Sequence, residues 1–241
     1  MLKKIIVLIL LIILLIFVST EITHDIEIYN EINNTIQISD EKINEDSIKE
    51  LQEKYNNTDI QAIISIKDTE FKYPVVQTTN NEYYLNHDLY KKEDILGSVF
   101  LDYRFNIEES KKNIIYGHNN TNKNMPFSYL ENYYNKEFYE KYPYIEIQTS
   151  NSKKEYVIFS VYVENENWDY MNGEYTTQEE WKEHYRKIKQ KSMYDTGIEI
   201  NENDNIIILQ TCSELKEYTN YKDKYLLVIA KELREERKWE R

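Results

Sequence analysis

Residues 206–213 read Ile206-Ile207-Ile208-Leu209-Gln210-Thr211-Cys212-Ser213. The run is apolar, short and rich in β-branched residues, as a buried strand is. It ends on Cys212, the only cysteine of the chain. A thiol on the last residue of a strand is held rigidly yet reaches the surface. A second run, Asn113-Ile114-Ile115-Tyr116-Gly117-His118-Asn119-Asn120, ends in a similar way. Gly117 ahead of His118 suits a tight backbone where strand turns into loop. A thiol needs a nearby imidazole to act as a nucleophile near neutral pH, and the two need not be neighbours in sequence. A lone Cys is equally a small buried hydrophobe, and a lone His a hydrogen-bonded surface group. Spacing alone leaves both readings open.

Working outward from these two runs, six more have β character: 62–66, 71–76, 98–102, 144–148, 156–163 and 225–230. With 113–116 and 205–211 that makes eight short strands between turn-rich loops, which predicts a mainly β barrel or sandwich and not a doubly wound sheet. Two helices are expected among them. One spans about Pro126–Lys141, with Pro126 near its first turn and Phe127, Leu130, Tyr134 and Phe138 on one face. The other spans about Thr177–Lys191. Its Thr177-x-x-Glu180 start is a capping box, and Trp181, Tyr185 and Ile188 form its apolar stripe. A further helix is expected near Glu45–Tyr55.

Composition narrows the function. The chain has 241 residues, enough for one domain and a tail. Its 43 acidic and 30 basic residues give a net charge of −13, which speaks against a phosphate-backbone partner, so no nucleic acid is expected. A single Cys rules out an intramolecular disulfide framework and multi-Cys metal sites. The four Gly are too scattered for a phosphate loop, and His24, His87, His118 and His184 fall in no metal-binding frame. No carboxylate pair stands out as a glycosidase dyad. No metal and no organic cofactor is expected.

At the N-terminus, Lys3 and Lys4 precede an apolar run from Ile5 to Val18. The flanking charge favours an inside N-terminus and an exported body. The run is about 14 residues, short against the roughly 20 needed to span comfortably, and no small-x-small cleavage site follows it. The expectation is an uncleaved membrane signal anchor over 1–20, with a cleaved signal or a buried helix as alternatives. The protein would then be a single-pass cell-membrane protein with an extracellular catalytic domain. Residues 21–58 are read as an acidic stalk and N-terminal helix, and 59–241 as the catalytic domain.

The two strand-end segments also carry a resemblance. N-I-I-Y-G-H-N-N at 113–120 resembles the catalytic-His segment of class B sortases, and I-L-Q-T-C-S at 208–213 resembles the sortase T-L-x-T-C signature, with Ile208 at its first position. Tyr73-Pro74-Val75-Val76-Gln77 is similar to a family strand, Asn80 to Asp88 to its N-x-x-Y-L-x-x-D loop, and Gly97–Asp102 to its G-S-I-F-x-D strand. The resemblance covers about 60–231. It implies a sortase-like eight-stranded β-barrel, with a long helix before the strand that carries the catalytic Cys. It implies a cysteine transpeptidase in which Cys212 attacks the carbonyl after the Thr of an Asn-Pro-x-Thr-x-like sorting motif, with His118 as acid and base. The partners implied are sorting-motif surface proteins and a peptidoglycan precursor amine, with the enzyme expected to act as a monomer. Asn80, Leu85, Tyr170 and Met171 match positions lining the substrate groove. Thr211 would shape the site, and Ser213 could hydrogen-bond the peptide.

One position departs from the family. Sortases carry a catalytic Arg on the strand after the Cys, and here that strand reads Lys224-Tyr225-Leu226-Leu227-Val228-Ile229-Ala230-Lys231, with Tyr225 at the Arg position. Three readings remain. Tyr225 donates its hydroxyl to the oxyanion; a bulge brings in Lys222 or Lys224; or activity is impaired. The alternatives to a transpeptidase are a hydrolysing cysteine peptidase, a sortase-fold module that binds sorting peptides, and an interaction domain with an inert thiol.

Overall fold

The computed structural model describes residues 10–13, 15–17, 19–20, 23, 46–120, 125–165, 169–173 and 175–234. The chain divides into two compact units, 1–43 and 44–241. Of the first, the described residues between 10 and 23 are helical. The expected acidic stalk falls on 24–45, outside the described residues, as does Glu45 of the expected helix.

The expected cell-membrane placement is overturned. Among the described residues, no helix is long and apolar enough to cross a membrane. The physical reason is length, since the apolar run falls short of the roughly 20 residues that match a hydrocarbon core. The single-pass placement with an extracellular catalytic domain falls with it.

In the second unit, α1 (Asp46–Tyr55) precedes eight strands: β1 (Ile60–Ile66), β2 (Lys72–Val76), β3 (Phe100–Leu101), β4 (Lys112–Tyr116), β5 (Tyr144–Gln148), β6 (Lys153–Glu164), β7 (Ile206–Cys212) and β8 (Tyr225–Glu232). They close into one barrel in the order β1-β2-β3-β4-β7-β8-β6-β5. The β2–β3 and β4–β7 pairs are parallel and the others antiparallel. Closure leaves no open edge to pair with another chain. The barrel is thus the eight-stranded, mainly β fold expected, with β3 shorter than predicted.

The core explains the strand order. Ile206 through Leu209 of β7 and Leu226 through Ala230 of β8 are buried at 1% exposure or less. Each such aliphatic side chain contributes about 1.5–3 kcal/mol relative to staying in water. These two strands are therefore the centre of the sheet. β7 runs to the same end of the barrel as β4, and β8 starts from that end.

Two helical elements flank the barrel after β4. The expected helix over 126–141 is in fact two pieces. Pro126–Tyr134 is a 3-10 helix, and α2 spans Lys136–Lys141. Asn135 makes the break: its backbone is extended, and its Oδ1 accepts the Glu137 N–H at 2.8 Å as the cap of α2. The three-residue period of a 3-10 helix buries Phe127, Leu130 and Tyr133, so Tyr134 leaves the buried stripe. The long helix, α3 (Gln178–Lys191), starts as predicted. Thr177 Oγ1 accepts from Glu180 N at 3.2 Å, and Glu180 Oε2 accepts from Thr177 N at 3.0 Å. Trp181, His184, Tyr185 and Ile188 form its buried face.

Candidate active site

The β4–β7 ladder runs in parallel from Lys112 opposite Ile206 to Tyr116 opposite Gln210. One more backbone bond, from Gly117 N to Gln210 O at 3.2 Å, closes it. Carried two residues further, this register sets His118 beside Cys212. On the other side of β7 the antiparallel ladder pairs Cys212 directly with Tyr225. Directly opposed residues in a sheet point to the same face. The β7–β8 ladder therefore sets Cys212 and Tyr225 in one row at one end of the barrel, and β4, two residues past its last pair, delivers His118 to the same end. The β7–β8 register is unbroken from Ile206 to Cys212, so no bulge carries Lys222 or Lys224 into the place of Tyr225.

The neighbours of β7's last residues divide by face. Thr211 is buried, and its Oγ1 donates to Gly117 O at 2.7 Å. This bond stitches the two strands just beyond the ladder. Ser213 is buried too; its Oγ lies 2.8 Å from the Tyr134 hydroxyl and accepts from Leu215 N at 3.2 Å. Cys212, between them, is exposed. Surrounding protein still removes enough water to push the thiol up from its ordinary value; Glu214 adds to this and Lys224 opposes it. Burial raises the Tyr225 hydroxyl as well, with Cys212 and Asp223 adding, so it stays protonated and able to donate at neutral pH.

His118 is half-buried, and its Nε2 lies 2.7 Å from the Leu85 carbonyl oxygen. A carbonyl only accepts, so Nε2 carries a proton in this arrangement. Among the described residues, no hydrogen bond joins the imidazole to the thiol. Gly117 is required just before it: a Cβ there would stand 2.6–2.8 Å from three ring carbons of the fully buried Phe127.

The loop carrying Leu85 is built around Asn80. Asn80 Oδ1 accepts from Glu82 N at 2.8 Å and Tyr83 N at 2.9 Å, starting the 3-10 turn Tyr83–Leu85. Leu85 itself is 42% exposed beside His118. Across the row, a second 3-10 turn, Asp169–Met171, carries Tyr170 and Met171. The Tyr170 hydroxyl donates to Gln210 Oε1 at 3.0 Å, two residues before the thiol. Buried Lys112 holds this turn by donating to the Tyr170 and Asn172 carbonyls, and burial pulls its ammonium down to about 7. Beneath β4, Asp102 is fully buried; it accepts three bonds from Arg104, through its backbone N–H, Nε and Nη2, and one from the Tyr116 hydroxyl at 2.8 Å. Desolvation would raise its carboxyl, but these partners outweigh it and hold it below the usual range.

Sequence reasoning missed Asn119 and Glu131, which join the His118 loop to the Cys212 turn. Asn119 stood beside His118 in the quoted segment. Glu131 gave no signal, because it lies on a helix whose 3-10 period was not foreseen.

The Sortase domain family model matches residues 64–232. Sortase B of Listeria monocytogenes is 34% identical over 174 residues, covering 72% of this chain and 70% of that protein. The Staphylococcus aureus sortase B–substrate complex superposes with a TM-score of 0.79 at 25% identity, over 90% of this chain and 100% of that one. A sortase B complexed with triglycine superposes with a TM-score of 0.78 at 26% identity, over 89% and 99%. The chain belongs to the sortase family of cysteine transpeptidases. Its relatives place it in class B, the group that anchors surface proteins.

Proposed function

We propose that Cys212 is the nucleophile, His118 the acid and base, and Tyr225 the hydroxyl donor to the substrate carbonyl. The pairing of Cys212 with Tyr225, and the parallel β4–β7 ladder that brings the His118 loop to the same end of the barrel, carry the reading. The substrate is a protein ending in an Asn-Pro-x-Thr-x-like motif, and residues 59–241 act as the catalytic domain. In the first half-reaction the Cys212 thiolate attacks the Thr carbonyl carbon. The Tyr225 O–H stabilises the oxyanion, and the C–N bond breaks as His118 gives its proton to the departing amine. This leaves a thioacyl enzyme. In the second, a peptidoglycan amine attacks the thioester carbonyl, His118 takes a proton from it, and the thiolate leaves. Atoms balance with no oxidant or metal.

The 80–85 loop and the 169–171 turn flank the row. They support Asn80, Leu85, Tyr170 and Met171 as the groove walls. The hydrogen bonds of Thr211 and Ser213 support a role in holding the Cys212 turn. Before attack, His118 must exchange its Leu85 carbonyl bond for substrate. The S. aureus relative solved with substrate, and the sortase B solved with triglycine, are consistent with a peptide donor and an amine acceptor.

A second reading is favoured by one observation, the Tyr at the Arg position. It is a sortase-fold module that binds sorting peptides without cleaving them. Intact mass spectrometry with a panel of Asn-Pro-x-Thr-x peptides separates the two. A thioacyl adduct on the wild type, absent from Cys212→Ala, supports the transpeptidase. Peptide binding without an adduct, with Cys212 still alkylated by iodoacetamide, supports the binding module.

A further inference from the structure

The β4–β7 ladder ends before the residues that matter. Its last backbone bond is Gly117 N to Gln210 O. His118 and Cys212 lie beyond it, and ladder geometry does not hold them together. What replaces the ladder is a side-chain bridge from the 3-10 helix Pro126–Tyr134. Glu131 Oε1 accepts from Asn119 Nδ2 at 2.7 Å and from Glu214 N at 2.9 Å. The same Asn119 Nδ2 donates to the Cys212 carbonyl at 2.8 Å. The helix is itself fixed to both loops: Phe127 N donates to His118 O at 3.0 Å, Asn120 N to Ser128 Oγ at 3.0 Å, and Tyr134 meets Ser213 at 2.8 Å.

We infer that Glu131 is a positioning residue of the reaction, acting through Asn119 to hold the Cys212 turn in register with His118. The inference rests on the reading of Cys212 and His118 as nucleophile and base.

The orientation of Asn119 carries the argument. Its amide faces two groups that can only accept, the Glu131 carboxylate and the Cys212 carbonyl, so the Nδ2 must point at both. The opposite end, Oδ1, is then buried without a hydrogen-bond partner. An orphaned buried acceptor is costly. The fold keeps it, because turning the amide would set Oδ1 against both acceptors. A bond to a carboxylate is stronger than a neutral one, which favours this arrangement. Glu131 acts through the bonds its oxygen accepts and not by shifting the thiol, whose neighbouring charges are Glu214 and Lys224.

The test uses the full chain, with acyl-enzyme formation followed in single turnovers on the Asn-Pro-x-Thr-x peptide that acylates the wild type. Glu131→Ala is expected to acylate about 10–100-fold more slowly, because small misplacements of reacting groups have costs of that order. KM should stay within about threefold and the pH profile of Cys212 alkylation should not move, since neither groove nor thiol charge is touched. Glu131→Gln keeps an oxygen that accepts both bonds and should recover most of the wild-type rate. Asn119→Ala should match Glu131→Ala, and the double variant should be no worse than either, because both break one bridge. Wild-type acylation by Glu131→Ala overturns the inference. So does a Glu131→Gln as slow as Glu131→Ala, or additive losses in the double variant. If Glu131→Ala does not fold, Glu131→Gln and Asn119→Ala decide it by the same criteria. Cys212→Ala is run alongside: a variant still able to form the adduct defeats the nucleophile reading itself, a separate failure.

Discussion

Cys212 and Tyr225 stand directly opposite each other across the β7–β8 ladder, on the same face of the barrel wall. A protonated phenol is thus held beside the thiol, at the position where the sequence resemblance implies a guanidinium. One O–H replaces a planar fork of five N–H donors, so the site keeps a donor but loses the bidentate grip and the fixed positive charge.

Tyr225→Phe removes the donor and keeps the ring. Turnover should fall by about 10²–10³-fold, the usual cost of losing one oxyanion donor, with little change in KM. Tyr225→Arg should recover activity. Steady-state kinetics check both, and an unchanged kcat in Tyr225→Phe would remove Tyr225 from the mechanism.

The raised Cys212 thiol makes the rate of alkylation climb as pH passes upward through and beyond the ordinary thiol range, because only the thiolate reacts. Burial is the larger cause and Glu214 the next. Glu214→Gln should therefore lower the thiol and speed iodoacetamide labelling at pH 8 by about two- to threefold, an effect that shrinks with added salt. Lys224→Met should slow labelling by a similar factor. Labelling rates from pH 6 to 10 give the profile.

Gly117→Ala would drive a methyl group into the Phe127 ring, which is buried on all sides and has no free direction to yield. Overpacking of this kind costs about 1–3 kcal/mol. The displaced backbone is that of His118, so acylation should fall more than stability does. Thermal unfolding and single-turnover acylation, measured on one preparation, test the difference.

His184 is expected to weaken the fold in acid. It is buried on α3 with Nδ1 2.7 Å from the Tyr175 hydroxyl and Nε2 without a partner, and burial pulls its value down from 6.5 to about 3. Lys112 and Lys187 push in the same direction. The unfolded chain therefore takes up this proton first as pH falls. The stability is fully present above about 6.5 and is lost progressively toward about 3, by several kcal/mol for a shift of this size. His184→Phe should flatten the fall in melting temperature between pH 6.5 and 4, as read by calorimetry.

Much of the fold was legible because its signals are local. The β-branched run before Cys212, the Asn113–Tyr116 run before Gly117-His118 and the Thr177–Glu180 capping box all declare themselves within eight residues, and each forms an element within two residues of its expected ends. The resemblance to the sortase strand, counted back from Ala230-Lys231, sets Tyr225 at the Arg position; strand alternation adds only that Lys224 and Tyr225 face opposite sides, and the pairing with Cys212 is seen in the ladder. The helix over 126–141 was misread, because Phe127, Leu130, Tyr134 and Phe138 fit an α period while Asn135 favours its own cap over continuing the turn. That misreading hid Glu131, whose importance depends on loops far away in sequence. The membrane anchor was read from charge and hydropathy, although the run is too short to span.

The parallel pairing of β4 with β7 has a further consequence. His118 and Cys212 are separated by 94 positions, and β5, β6 and α3 must be made between them. Such distant pairings bear the loop-closure entropy of the whole intervening chain and form late. During synthesis the thiol emerges long after the imidazole, and the two meet only when the barrel shuts. Assembly of the reactive centre and completion of folding are then one event, so an unfinished chain carries a cysteine with no more reactivity than any other.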